Sequence, residues 1–171
     1  MNQLELELQP EPSYRLIPLS QGKFAKVDAE DFEWLSQWNW HVRWDRHTKS
    51  FYAERRETRF IDGKRAHYKM HRVILNVAKG VEVDHANRDT LDNQRGNLRA
   101  ASRAQNAWNM KTPSTNTSGI KGVCKGYGDN WTAQIMANGN YVRLGSFSSK
   151  EEAKQAYVKA AAELHGEFAR L

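Results

Sequence analysis

Four side chains between residues 83 and 109 could do chemistry together: Asp84 and His85 side by side, Asn97 twelve residues on, and Asn106 nine beyond that. VEVDH, which carries the first two, predicts a strand, so their side chains leave it on opposite faces. ANRDTLDNQRGN predicts a turn-rich loop, and LRAASRAQNAWNMK predicts a helix that carries Asn106. A strand, loop and helix folded back together would bring the Asp84 carboxylate and the Asn106 amide oxygen to one point. Hard cations such as magnesium take oxygen ligands of this kind and keep several waters, leaving positions for phosphate oxygens. His85, beside that point, could take a proton from water as a general base, because imidazole titrates near operating pH. Singly, an Asp-His pair, an Asn before Leu98 and an Asn on a helix have plainer uses as caps and surface groups. Their joint spacing is what points to a metal-assisted centre. Arg95, Arg99 and Arg103 lie close to it in sequence, and guanidinium pairs bidentately with phosphate; which of them would touch a substrate stays open.

The rest of the chain must position these residues. YRLIPLS and KFAKV predict two strands joined at Gln21-Gly22, and AEDFEWLSQW predicts a helix opened by Asp28 or Ala29 with acids in its first turn. WHVRWDRHTKSFYAERR and TRFIDGKRAHYKM predict hairpin strands with Asp62-Gly63 as a tight turn, and MHRVILNV a short helix packed on that sheet. KTPSTNTSG has linker composition, which places a domain boundary at 111–118. Beyond it, GIKGVCKGYGDNW and TAQIMANGNYVRLGSF predict three short strands turning at Gly126–Asp129 and Asn138-Gly139. A helix follows, with Ser148 as cap and Glu151 reaching back. Ala153, Ala156, Tyr157, Ala160, Ala161 and Leu164 would pack it on the sheet. The expected class is α+β: a β-rich region at 14–110, then a three-stranded antiparallel sheet on one helix at 119–171.

Composition narrows the function. With one cysteine, Cys124, among 171 residues, neither a disulfide framework nor a thiolate zinc site is available. No run nears the ~18 apolar residues of a membrane helix, and MNQLELELQPEPSYR has no secretory pattern, so the expectation is a soluble, cytoplasmic protein. Residues 1–13 hold three Glu and no base and predict a mobile tail; the remainder carries about +9 against +6 for the whole chain. A basic surface draws polyanions by counterion release, and nucleic acid is the commonest such partner.

MHRVILN and VDHANRDTLDNQRGNLRAASRAQNAWN, at 70–109, resemble the HNH nuclease family in its bacteriophage and intron-borne homing branch. The resemblance implies a β-β-α metal fold at about 80–110. In it, His85 would be the general base, Asp84 and Asn106 the metal ligands, and Asn97 the catalytic-centre Asn that holds the loop closed. The cofactor implied is a divalent metal, Mg2+ foremost with Mn2+ as an alternative, and the setting a bacterial or phage-infected cell. Asn93 and Asn109 also match, as supporting residues, and His71 matches as a packing or hydrogen-bonding residue. Residues 118–171 resemble the apetala-two, or ethylene-response-factor, DNA-binding domain through Gly122-Val123, Trp131, Leu-Gly-Ser-Phe at 144–147, Ala156-Tyr157 and the closing His-Gly-Glu-Phe-Ala-Arg-Leu. That family lays its sheet in the major groove, so the resemblance implies a DNA face of Lys121, Lys125, Trp131, Gln134, Tyr141 and Arg143. For Trp131 a core position under the helix is the other reading.

Both resemblances converge on double-stranded DNA. The leading expectation is a homing-type, metal-dependent endonuclease; the alternative is a non-catalytic transcriptional regulator that keeps the nuclease fold as scaffold. An RNA-binding module ranks last, since the sheet lacks the aromatic pair that stacks single-stranded bases. One constellation per chain suits nicking by a monomer, and double-strand cutting would need a homodimer or two binding events.

Overall fold

The computed structural model of the chain describes residues 13–61, 64–137 and 139–170. The expected tail up to Pro12, the Asp62-Gly63 turn and Asn138 lie outside the described residues. The fold is mixed α and β, with small antiparallel sheets and several short helices. The described residues form two compact units: those within 13–79 together with 87–99, and those within 80–86 together with 100–170.

In the first unit β1 (Tyr14–Pro18) and β2 (Phe24–Asp28) pair antiparallel from Tyr14↔Asp28 to Pro18↔Phe24, and their alternation buries Ile17, Ala25 and Val27. Helix α1 (Ala29–Leu35) follows directly, with Glu30 and Asp31 in its first turn, where the helix dipole favours anions. Asp28 occupies its N-cap position without a side-chain cap bond, because its carboxylate is used elsewhere. β3 (His41–Asp45), β4 (Ser50–Ile61) and β5 (Lys64–Lys69) make a three-stranded meander. The Arg55 guanidinium lies 4.5 Å from the Trp38 ring centroid and 4.4 Å from that of its cross-strand partner Tyr68, a cation–π arrangement. Helix α2 (Met70–Leu75) ends at Asn76, which takes the left-handed conformation at φ 47°. His71 is buried there with its ring edge-on to Tyr52.

The second unit holds β6 (Glu82–His85), which pairs with β7 (Leu98–Ala101), the strand through which the boundary between units runs. β7 departs from the expectation of one helix over 98–111. Leu98 and Ala101 are buried as strand residues, and the helix α3 (Arg103–Asn109) starts only after Ser102. Ser102 and Gln105 form a reciprocal capping box that fixes this start. Alanine and arginine favour helix in isolation, and pairing with β6 outweighs that weak preference.

Residues 111–118 belong to this unit as hydrogen-bonded turns. The buried Ser118 hydroxyl lies 2.7 Å from the Val123 carbonyl, and Asn116 Nδ2 donates to the Ile120 carbonyl at 3.0 Å. The polar residues that resemble a linker in composition thus close turns here. β8 (Val123–Lys125), β9 (Trp131–Ala137) and β10 (Asn140–Phe147) form an antiparallel sheet in the order 8-9-10. Helix α4 (Lys150–His165) covers one face through Ala153, Tyr157, Ala160 and Ala161, packed on Val123, Ala133 and Ile135. Its cap is Ser149, which accepts from the Glu152 amide; Ser148 instead donates to the Glu152 carboxylate. Leu164 stays 48% exposed and lies outside that core.

Candidate metal centre

Asp84 and His85 end strand β6 and are both buried, at 5% and 4% exposure. A carboxylate is almost never buried without partners. Here the partner is Asn109, in the last turn of α3. Its Nδ2 lies 3.0 and 3.1 Å from the two Asp84 carboxylate oxygens and 3.0 Å from the His85 carbonyl. One amide therefore fixes both the plane of the Asp84 carboxylate and the backbone beside it. Asn106 sits one turn earlier on α3 and is half-buried, so the same helix offers an amide oxygen as well as the clamp. Asp84 and Asn106 both carry oxygen donors of the kind a hard divalent cation takes.

Asn97 braces the loop that follows β6. Its Oδ1 accepts from the Asn87 amide at 2.9 Å, and its Nδ2 donates to the Asp92 carbonyl at 2.7 Å. Asn93, 1% exposed, donates to the Leu91 carbonyl, while its backbone amide donates to the Lys26 carbonyl at 2.7 Å. Both asparagines tie backbone to backbone, which a turn of this density needs.

The three arginines separate. Arg95 binds Asp31 bidentately, at 2.8 and 2.7 Å, and its backbone amide donates to Asp28 Oδ2 at 2.7 Å. The Asp31 contact raises its pKa above the ordinary guanidinium value despite some burial. Arg95 is an internal tether between the 87–99 loop and α1. Asp28, Glu30 and Asp31 bring their carboxylates within 4.8 Å of one another, and this acidic cluster already holds Arg95. Arg103 stands exposed on the first turn of α3, and Arg99 is half-buried on β7.

The expected DNA face also divides. Strand register puts Cys124 and Thr132 opposite one another, and likewise Gln134 with Arg143 and Met136 with Tyr141, all on the sheet face away from α4. Trp131 shares the other face with Ala133 and Ile135 and packs against the core, flanked by the Lys125 and Lys150 ammonium groups at 4.9 and 5.6 Å. Trp131 is thus a core-edge aromatic. The Lys121 ammonium contacts the carbonyls of Ala107, Trp108 and Met110 at 3.3, 2.5 and 3.1 Å. Burial pushes its pKa down to about 8, with the Arg170 charge adding to the effect. Gln134, Tyr141 and Arg143 remain together on the outer face. A groove of about 820 Å³ runs beside them, lined by Gln105 and Trp108 of α3 and by Gln134, Met136 and Tyr141. At its floor the His165 ring stacks on Trp108 at 4.1 Å and an interplanar angle of 9°.

Asn109, expected as a supporting residue, supports the Asp84 carboxylate, while Asp31 and Asp28 carry no site role in the sequence reading. The signal for Asn109 was its place one helical turn beyond Asn106, on the face that meets β6. Nothing local marked Asp31 as the partner of Arg95, 64 residues away.

The profile of the HNH endonuclease family matches residues 68–108. Protein 3.8 of Escherichia phage T7 is 37% identical over 95 residues, which cover 55% of this chain and 78% of that protein. An uncharacterized HNH endonuclease of Acanthamoeba polyphaga mimivirus is 26% identical over 162 residues, covering 91% of this chain and 78% of its own. Among the described residues no helix is long and apolar enough to cross a membrane.

Proposed function

We propose that this chain, whose residues 68–108 match the HNH endonuclease family, is a metal-dependent DNA endonuclease of the homing type, hydrolysing phosphodiester bonds in duplex DNA. The observation that carries the reading is the buried Asp84 carboxylate, held in one plane by Asn109 on the helix that also bears Asn106. Asp84 and Asn106 would hold the divalent ion, Mg2+ by preference. That ion, when bound, supplies charge stabilisation at the scissile phosphate and at the departing 3′ oxygen. His85 takes the proton from the attacking water as general base, and burial beside Asp84 keeps bulk water from competing. Asn97 keeps the loop after β6 closed by tying the Asn87 amide to the Asp92 carbonyl. In-line attack by water leaves a 5′ phosphate and a 3′ hydroxyl. Arg103, exposed at the start of α3, and the outer face of the C-terminal sheet, with Gln134, Tyr141 and Arg143, serve as the contacts to DNA. Lys125 at the sheet edge adds a phosphate charge.

The test is end chemistry. Nicks made in a supercoiled plasmid with Mg2+ should be sealed by DNA ligase, which requires adjoining 5′ phosphate and 3′ hydroxyl ends. Nicks that ligase cannot seal, or equal cutting with EDTA, would overturn the assignment.

A further inference from the structure

Lys121 sits where a helix end, a metal-site clamp and the C-terminal sheet come together within one unit. Helix α3 has seven residues, so its last carbonyls lack intrahelical partners, and no glycine closes it: Met110 at the C-cap is extended, at φ −63° and ψ 152°. The Lys121 ammonium fills that gap. It contacts the carbonyls of Ala107, Trp108 and Met110, using the three donors an ammonium has. Two of those carbonyls, from Trp108 and Met110, flank Asn109 on either side, and Asn109 is the residue clamping Asp84. A cation at the helix C-terminus also complements the helix dipole.

The other end of Lys121 is equally fixed. Gly122, the next residue, adopts φ +71°, and a Cβ there would come within 2.4 Å of the Tyr157 ring and the Gln134 carbonyl. The Gly122 carbonyl accepts from the Gln134 amide at 2.8 Å. The lysine stem therefore starts from backbone locked under the sheet and ends on the turn of α3 that holds Asn109.

From this we infer that Lys121 is a positioning residue of the nuclease centre, acting through the last turn of α3 and Asn109 to set the Asp84 carboxylate. The inference rests on the reading of Asp84 as a metal ligand. It makes the C-terminal sheet part of the support for the centre and assigns Lys121 no contact with DNA. Groups that orient a metal ligand from outside the coordination sphere typically change metal affinity by about 10- to 100-fold when removed.

The experiment uses the full chain as parent, Lys121→Met, Lys121→Arg, Asn109→Ala and the Lys121→Met/Asn109→Ala double variant. Mn2+ binding without DNA is measured by electron paramagnetic resonance, and single-turnover nicking is measured against Mg2+ concentration. Lys121→Met should bind Mn2+ about 10-fold more weakly and need about 10-fold more Mg2+ for half-maximal rate, with the rate recovered at saturating Mg2+. Lys121→Arg should lie close to the parent, and the double variant should be no weaker than Asn109→Ala. DNA affinity should keep the parent's salt dependence throughout. If Lys121→Met fails to fold by circular dichroism, Lys121→Gln takes its place under the same expectations. A parent that binds Mn2+, with a Lys121→Met variant indistinguishable from it, overturns the role of Lys121. So does unchanged Mn2+ affinity with a salt slope shallower by about 0.9, the mark of a lost phosphate contact. A parent that takes up no Mn2+ overturns the nuclease reading itself.

Discussion

At the residue scale, Asp84 is the carboxylate clamped by Asn109, while the acidic cluster of Asp28, Glu30 and Asp31 holds Arg95. Asp84→Ala should be close to inactive at any Mg2+ concentration, whereas Asn106→Asp should keep measurable cutting because it preserves an oxygen ligand. A Mg2+ titration of both variants checks this, and parent-like cutting by Asp84→Ala would remove it from the metal site. The spacing of Asp84, His85, Asn97 and Asn106 was legible in the sequence, since it lies within 23 residues of one strand, loop and helix. The partners of Arg95 and Lys121 were not, because Asp31 and the end of α3 are not encoded locally, whereas the packing of Trp131 on the core under α4 is one of the two readings its sequence position allows.

At the scale of elements, the link from Lys121 through Gly122 to the sheet makes two demands. Gly122→Ala would press a methyl group into the Tyr157 ring at a left-handed φ, so it should lower unfolding stability by roughly 2–4 kcal/mol. Urea unfolding followed by circular dichroism measures this, and a loss within error of zero would contradict the packing. Lys121 gives the second demand. Its folded pKa, about 8, lies below its unfolded value, so the unfolded state binds more protons up to about pH 10.5. The contribution of this group to stability therefore rises with pH through that window and is lost as pH falls through about 8. The urea midpoint of the parent should gain on that of Lys121→Met between about pH 7.5 and about pH 10; a constant difference would refute the burial. Most strands and helices were legible because they are amphipathic or bounded by turn residues. β7 was not, because Leu-Arg-Ala-Ala reads as helix until a strand partner claims it. The α4 cap slipped by one residue for a related reason: adjacent serines offer two registers, and side-chain packing on the sheet selects Ser149.

For the whole molecule, charge and catalysis make separable claims. The positive charge outside the acidic first thirteen residues suits the proposed DNA substrate, and on that proposal DNA affinity should fall steeply with salt. Arg143→Ala should make the slope of log affinity against log salt shallower by about 0.9 and leave Mn2+ affinity unchanged. An unchanged slope would take Arg143 off the DNA face. The segment at 111–118 shows why domain limits were harder to read than motifs: Ser, Thr and Asn build linkers and hydrogen-bonded turns alike, and only Ser118 and Asn116 finding their carbonyls tells the two apart. The most direct test of the account is a supercoiled-plasmid assay of the parent and His85→Ala side by side, with Mg2+ and with EDTA, alongside duplex affinity. The parent should nick with Mg2+ alone, and His85→Ala should lose about 10²–10⁴ in rate while binding DNA within a few-fold of the parent. Equal cutting by His85→Ala, or cutting that persists in EDTA, would contradict it.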